Sequence, residues 1–186
     1  VRRYVPCAGD PVVGVVAERH GETLLVDVGS SHRCALPALA FENATRRNRP
    51  TLRVGDLVLA RVARCAGGAE HEPELSCVDA QGLASGYGPL KGGVAFRCSG
   101  ALARAVLRKK APPPVLAALS ALLPFELAAG LNGSVWVNAP SGTRATALVA
   151  RALQTLAGET DAVTVGSKLD ALAHTFGLEA FKKRRH

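Results

Sequence analysis

Methionine is absent from the chain, and so is any long apolar run. Stretches such as residues 115–123 fall far short of the roughly 20 apolar residues that a bilayer span needs, and no signal-peptide pattern opens the sequence. No membrane association is therefore expected. A sequence that starts with valine and holds no methionine reads as a fragment whose N-terminal part is missing. Aromatic residues are scarce at 4%, with a single tryptophan, so extensive base stacking on rings is excluded. The five cysteines, at 7, 34, 65, 77 and 98, are odd in number and form no C-x-x-C pair. That pattern points to free thiols in a reducing compartment. Cys65, His71 and Cys77 are evenly spaced but match no usual ligand pattern, so no metal is expected.

Acidic residues thin out along the chain. Residues 1–80 carry ten Arg against ten Asp or Glu, whereas residues 81–186 carry thirteen Lys or Arg against five acids. The whole net charge of +8 thus lies in the second part, and four of those positives are in the terminal "KKRRH". Such a tail suits a nucleic-acid or nuclear-import patch, or a solvated end.

Chemistry that would mark an enzyme does not assemble. Ser141-Gly142-Thr143-Arg144 lacks the glycines and lysine of a phosphate loop. The glycines of "QGLASGYGPLKGG" loosely suggest a dinucleotide loop, but Pro89 interrupts them and a strand-like run follows where a helix is needed. Glu70, Glu72 and Glu74 share one turn, which favours a solubilising loop tip or a contact for a basic partner over a Mg²⁺ site. No cofactor is expected.

What is present is a change of period. In residues 1–80, "VVGVVAERHG", "TLLVDVGSS", "RCALPALA", "DLVLARVARC" and "ELSCVDA" are short β-branched runs bounded by turn residues. Five strands without an intervening helical period predict a small closed barrel of OB type. Residues 81–92 read as a glycine-rich linker. Residues 93–177 read as strand, helix, helix, strand, strand, helix, with a further helix carrying Leu169, Leu172 and Phe176; 178–186 form the basic tail. Ser141 is expected to cap a long helix whose Ala145, Leu148, Val149, Ala152, Leu153 and Leu156 hold helical spacing.

That order is the order of a KH domain, an α+β unit that grips RNA with a G-x-x-G loop between its two consecutive helices. Here that joint is "RKKAPPP", which has no glycine. Gly130-Leu131-Asn132-Gly133 lies one connection later, between paired strands, where Asn-Gly is a strong hairpin signal because both positions tolerate positive φ. The motif is read as a hairpin turn. Lys109 and Lys110 could still hold phosphate by charge, or simply finish a helix.

An OB barrel binds single strands through its loops, by positive charge and exposed rings. The candidates are Arg19 and His20 in the first hairpin, His32 and Arg33 after the second strand, and Arg46, Arg47 and Arg49 in "ATRRNRP". The arginine run suits a solvated loop or a subunit interface equally well. Phe41 suits either core or platform. Trp136 is expected at a domain interface.

An OB barrel followed by a KH domain, with "YVPCAGDPVVGVV", "LLVDVGSS", "LAFENATRRNRPTLRVGDLV", "PELSCVDAQGLASGYG" and "LPFELAAGLNGSVWVNA", resembles the S1- and KH-domain cap subunits of the eukaryotic RNA exosome. The resemblance runs from about Tyr4 to Val137. It implies an S1-type barrel and a non-catalytic subunit seated on a ring of RNase PH-like subunits beside other cap subunits. It also implies single-stranded RNA as ligand, roles in rRNA processing and RNA degradation, and residence in nucleus, nucleolus and cytoplasm. A missing N-terminal domain is implied, as is a domain interface fixed by Gly130, Asn132, Gly133 and Trp136. The alternative is a free-standing S1/KH RNA-binding regulator.

Overall fold

A computed structural model describes residues 3–65, 72–108 and 112–178. Five strands come first: β1 (Pro11–His20), β2 (Thr23–Asp27), β3 (Cys34–Pro37), β4 (Leu57–Arg64) and β5 (Glu74–Ser76). β1 pairs with β2, β2 with β3, β3 in parallel with β5, β5 with β4, and β4 back onto β1. Among the described residues the ring is closed, each of the five strands pairing with two others. Alternation along the strands turns Val12, Val16, Leu24, Val26, Leu36, Val58, Val62 and Leu75 into the core with Cys34 and Cys77. Each such large aliphatic side chain contributes about 1.5–3 kcal/mol on full burial.

A sixth strand, β6 (Gly88–Leu90), pairs with Leu57–Leu59 of β4. It lies inside the stretch read from sequence as a linker. Three residues including Gly and Pro carry no strand period, and only β4 reveals them as a strand.

The remaining elements are β7 (Val94–Arg97), α1 (Gly100–Leu107), α2 (Pro114–Leu122), β8 (Glu126–Ala129), β9 (Ser134–Asn138), α3 (Thr143–Leu156) and α4 (Ala162–Thr175). The order β-α-α-β-β-α is that of a KH domain, with one helix added. The strands form a sheet in the order β7-β9-β8. The expected inner face of α3 is buried at all six positions, against the sheet and the other helices. Proline opens α2 at its first turn, where no amide donor is lost. Asp161 caps α4 by accepting from the Val163 and Thr164 amides.

The start of α3 departs from expectation. Its N-cap is Gly142, at φ 107° and ψ −177°, and no side chain caps it. Only glycine takes that backbone region readily, and it displaces Ser141 from the capping position. Thr146 braces the connection from within: its hydroxyl accepts from the Ala139 amide at 3.1 Å and donates to the Gly142 carbonyl at 3.2 Å.

The chain divides into two units, residues 1–91 with 129–134, and 92–128 with 135–186. Among the described residues no helix is long and apolar enough to cross a membrane.

Candidate nucleic-acid interface

The Gly130–Gly133 stretch is a turn, with the Gly133 amide donating to the Gly130 carbonyl at 3.0 Å. The reason for its asparagine is different from the one the sequence suggested. Only Gly133 takes positive φ, at 74°. Asn132 is 5% exposed and uses its side chain instead. Its Nδ2 donates to the carbonyls of Val13 at 2.8 Å and Val28 at 2.9 Å, and to Ser134 Oγ at 3.3 Å; its Oδ1 accepts from the Val13 amide at 3.3 Å. The Leu131 amide adds a bond to the Pro11 carbonyl at 2.7 Å. These contacts belong to the first unit and cover the part of β1 that β2 leaves unpaired. A Cβ on Gly130 would lie 2.5 Å from the Val13 nitrogen and 2.9 Å from Val12 Cα, so this turn admits no larger residue there. It is a structural turn held by side-chain amide bonds.

Trp136 belongs to the second unit, buried at 5% exposure, with its Nε1 donating to the Gly92 carbonyl at 2.8 Å. Its indole is consumed by packing.

The seven barrel candidates fall on three loops linked by ion pairs. Arg19 and His20 end β1; the His20 ring meets Glu18 at 3.0 Å. Glu18 also pairs with Arg33 from the loop after β2. The hydrogen bond to His20, then that to Arg33, holds the Glu18 carboxyl below the ordinary carboxylate range. Arg49 reaches Glu22 in the β1–β2 turn at 3.2 Å. His32 is exposed, its carbonyl accepting from Ser30 Oγ.

Arg46 and Arg47 stand at the tip of a tight turn. The Thr45 amide donates to the Asn48 carbonyl at 2.8 Å, and the Asn48 amide donates to Thr45 Oγ1 at 3.0 Å. Both arginines are exposed, and neither forms an ion pair among the described residues. With Arg19, also exposed and in no ion pair among the described residues, they are the candidate arginines free to meet phosphate. The carboxylates of Glu18 and Glu22 were not foreseen from sequence. They answer Arg33 and Arg49 across 15 and 27 positions of chain, and His20 from two residues away on the same strand.

Rings are not available here. Phe41 is core, 7% exposed; Tyr4 is half-buried with its hydroxyl donating to Asp10 Oδ2 at 2.6 Å. No described aromatic residue of the chain is fully exposed. Contact with a nucleic acid would therefore run through charge, with little base selectivity. Lys109, Lys110, His71, Glu70 and the "KKRRH" tail lie outside the described residues. Among those described, no three His, Cys, Asp or Glu gather as a metal site. Cys34 and Cys77 are buried free thiols, pushed up by burial to about 11 and about 12.

Comparison with known proteins matches this geometry to a family. Residues 4–88 fit the family described as the S1 domain of Exosome complex component RRP40, and residues 93–143 fit the KH domain family. Exosome complex component RRP40 of Drosophila melanogaster is 42% identical over 155 residues, covering 83% of this chain and 65% of the relative.

Residues 4–88 belong to the RRP40 S1 family.

The rrp40 component of Schizosaccharomyces pombe is 46% identical over 140 residues, 74% of this chain and 56% of the relative. The human RRP40 component is 37% identical over 139 residues, 74% and 49% respectively. The chain thus spans between about half and two thirds of these RRP40 relatives. A crystal structure named for an exosome complex RNA-binding protein shares the fold, at a TM-score of 0.68 and 21% identity over the full length of both chains.

Proposed function

We propose that this chain is the S1–KH portion of a non-catalytic cap subunit of the RNA exosome. In that role it binds single-stranded RNA and stabilises a ring of RNase PH-like subunits, beside the other cap subunits, for 3′-to-5′ RNA processing and degradation. The observation that carries the reading is the 37–46% identity to RRP40 components in several species. The geometry agrees in kind. The glycine pair sits in a buried structural turn, so the chain's phosphate contacts fall to exposed cations such as Arg46 and Arg47. The proposed locations are the nucleus, with the nucleolus, and the cytoplasm.

The test is to tag the full-length protein in its own cells, wash it in high salt and identify what remains bound. A stable set of RNase PH-like subunits is expected. Recovery of the protein alone, or with RNA that the wash removes, would overturn the cap role in favour of a free-standing binder.

A further inference from the structure

The second unit leaves one side of its sheet open. β7 is an edge strand in the order β7-β9-β8, with Val94 40% exposed at its start and Arg97 exposed at its end. Beside it runs a groove of about 580 Å³. Val94 and Ala139 line it from the strand side, Ala147 and Ala150 from α3, and Phe176 from beyond α4. These α3 positions are not on the buried face of the helix; they form a second, half-buried stripe of small side chains.

Among the described residues, the only charged side chain lining this groove is a cation. Arg151 lines it, and its guanidinium has no ion-pair partner among the described residues. The first turn of α3, entering at Gly142 and Thr143, carries no acidic residue and no side-chain cap. A helix of 14 residues places partial positive charge at that end. Among the described residues no Asp or Glu lines the groove; Glu126 lies just outside it, accepting from the lining residue Asn138 at 3.4 Å.

We propose that this groove docks an extended segment of a partner protein that carries acidic residues around an apolar anchor. The segment adds as a strand to β7, the commonest use of an open sheet edge in peptide recognition. Its apolar side chain fills the space over Ala147 and Ala150, and its carboxylates meet Arg151 and the first turn of α3. The same features disfavour two other occupants. A second copy of the chain would bring Arg97 and Arg151 against their own kind. RNA would find mostly Gly, Ala and Val, with only the half-buried ring of Phe176 to stack on, against the polar partners Asn138, Gln154 and Arg151. The inference stands apart from the cap reading and does not depend on it.

The test is selection of a random dodecapeptide display library on the immobilised full chain, followed by polarisation measurements with the enriched peptides. Enriched sequences are expected to combine Asp or Glu with a large apolar residue. Ala150→Trp, which fills the groove, is expected to abolish binding. Arg151→Glu, at an exposed position, is expected to weaken it about tenfold, as loss of a charge-assisted bond should, with melting curves confirming that both variants fold. No enrichment, enrichment of basic sequences, or peptides indifferent to both variants would overturn the proposal. Competition by short oligoadenylate would assign the groove to RNA instead. Peptide binding lost on concentration-dependent dimerisation would assign it to a second copy.

Discussion

The barrel and the sheet-and-helix unit solve the same problem in opposite ways. The barrel closes every strand onto another and covers the remaining stretch of β1 with the Asn132 turn. Closure removes free edges, so whatever the barrel recognises it must recognise with side chains on loops. The second unit keeps its sheet open at β7 and offers backbone and an apolar groove. On the two proposals above, the barrel would bind through charges at the end of β1 and in two loops, and the second unit through an edge.

The hardest blow to this contrast is at Asn132. Asn132→Leu keeps the volume but leaves the Val13 amide and the Val13 and Val28 carbonyls without their side-chain partner in a buried place. Loss of about 3 kcal/mol is expected in urea denaturation, from penalties of roughly 1–3 kcal/mol per stranded group. A loss below half a kcal/mol would mean the turn does not close the barrel. Next comes Gly142→Ala in the second unit, where nothing lies within 4 Å of an added Cβ but φ is 107°. A cost of about 1–3 kcal/mol is expected from the backbone alone, read from the same denaturation curves. Gly130→Ala, by contrast, fails by collision with Val12 and Val13.

Milder changes sharpen the claim about loops. Replacing Arg46 and Arg47 together with alanine should lower affinity for single-stranded RNA and flatten the log–log salt slope by about 1.4, at roughly 0.7 per phosphate contact. Fluorescence anisotropy across a salt series measures it; an unchanged slope would remove this loop from the interface. Glu18→Gln releases Arg33 and His20, so RNA affinity should rise a few-fold while the melting temperature hardly moves, as is usual for exposed ion pairs.

The smallest effect is on pH. Hydrogen bonds from Ser85 and from the Leu83 and Gln81 amides depress the Asp79 carboxyl, and those from Thr164 and Val163 depress Asp161. A lowered folded value means stabilisation present above the ordinary carboxylate range and lost as pH falls through the lowered value. Strong acid, at or below the ordinary carboxylate range, should therefore loosen the 79–87 loop and the start of α4 before either core. Amide exchange at Leu83 and Thr164 reads it directly.

The strands of the barrel and the helices after it were legible because burial imposes a period of two or of 3.6 on the residues. Val12, Val16 and Val26 announce themselves this way, as do Leu148, Val149 and Leu153. What escaped was set by partners distant in sequence. β6 is a strand only because Leu57–Leu59 lies beside it. Ser141 looked like a cap, but the backbone of Gly142 and the inward hydroxyl of Thr146 make that turn. Asn132 was placed in the right element for an incomplete reason, since its amide bonds reach residues 119 and 104 positions away. The seven barrel cations were chosen by residue type, and the carboxylates that leash Arg33 and Arg49 lie 15 and 27 positions away, with no signature in a single sequence.

The buried thiols give the barrel a clock of its own. Cys34 and Cys77 lie in the barrel core, and burial raises both thiols far above neutrality. A thiolate is the reactive form, so an alkylating reagent at neutral pH reaches them only when the barrel opens. Cys98, partly buried with its thiol also raised, sits in the second unit. Exposed Cys7 reacts first and serves as the internal standard. Pulsed alkylation read by mass spectrometry would therefore time the opening of the barrel, in the native chain and without any introduced label, with Cys98 reporting partial exposure in the second unit.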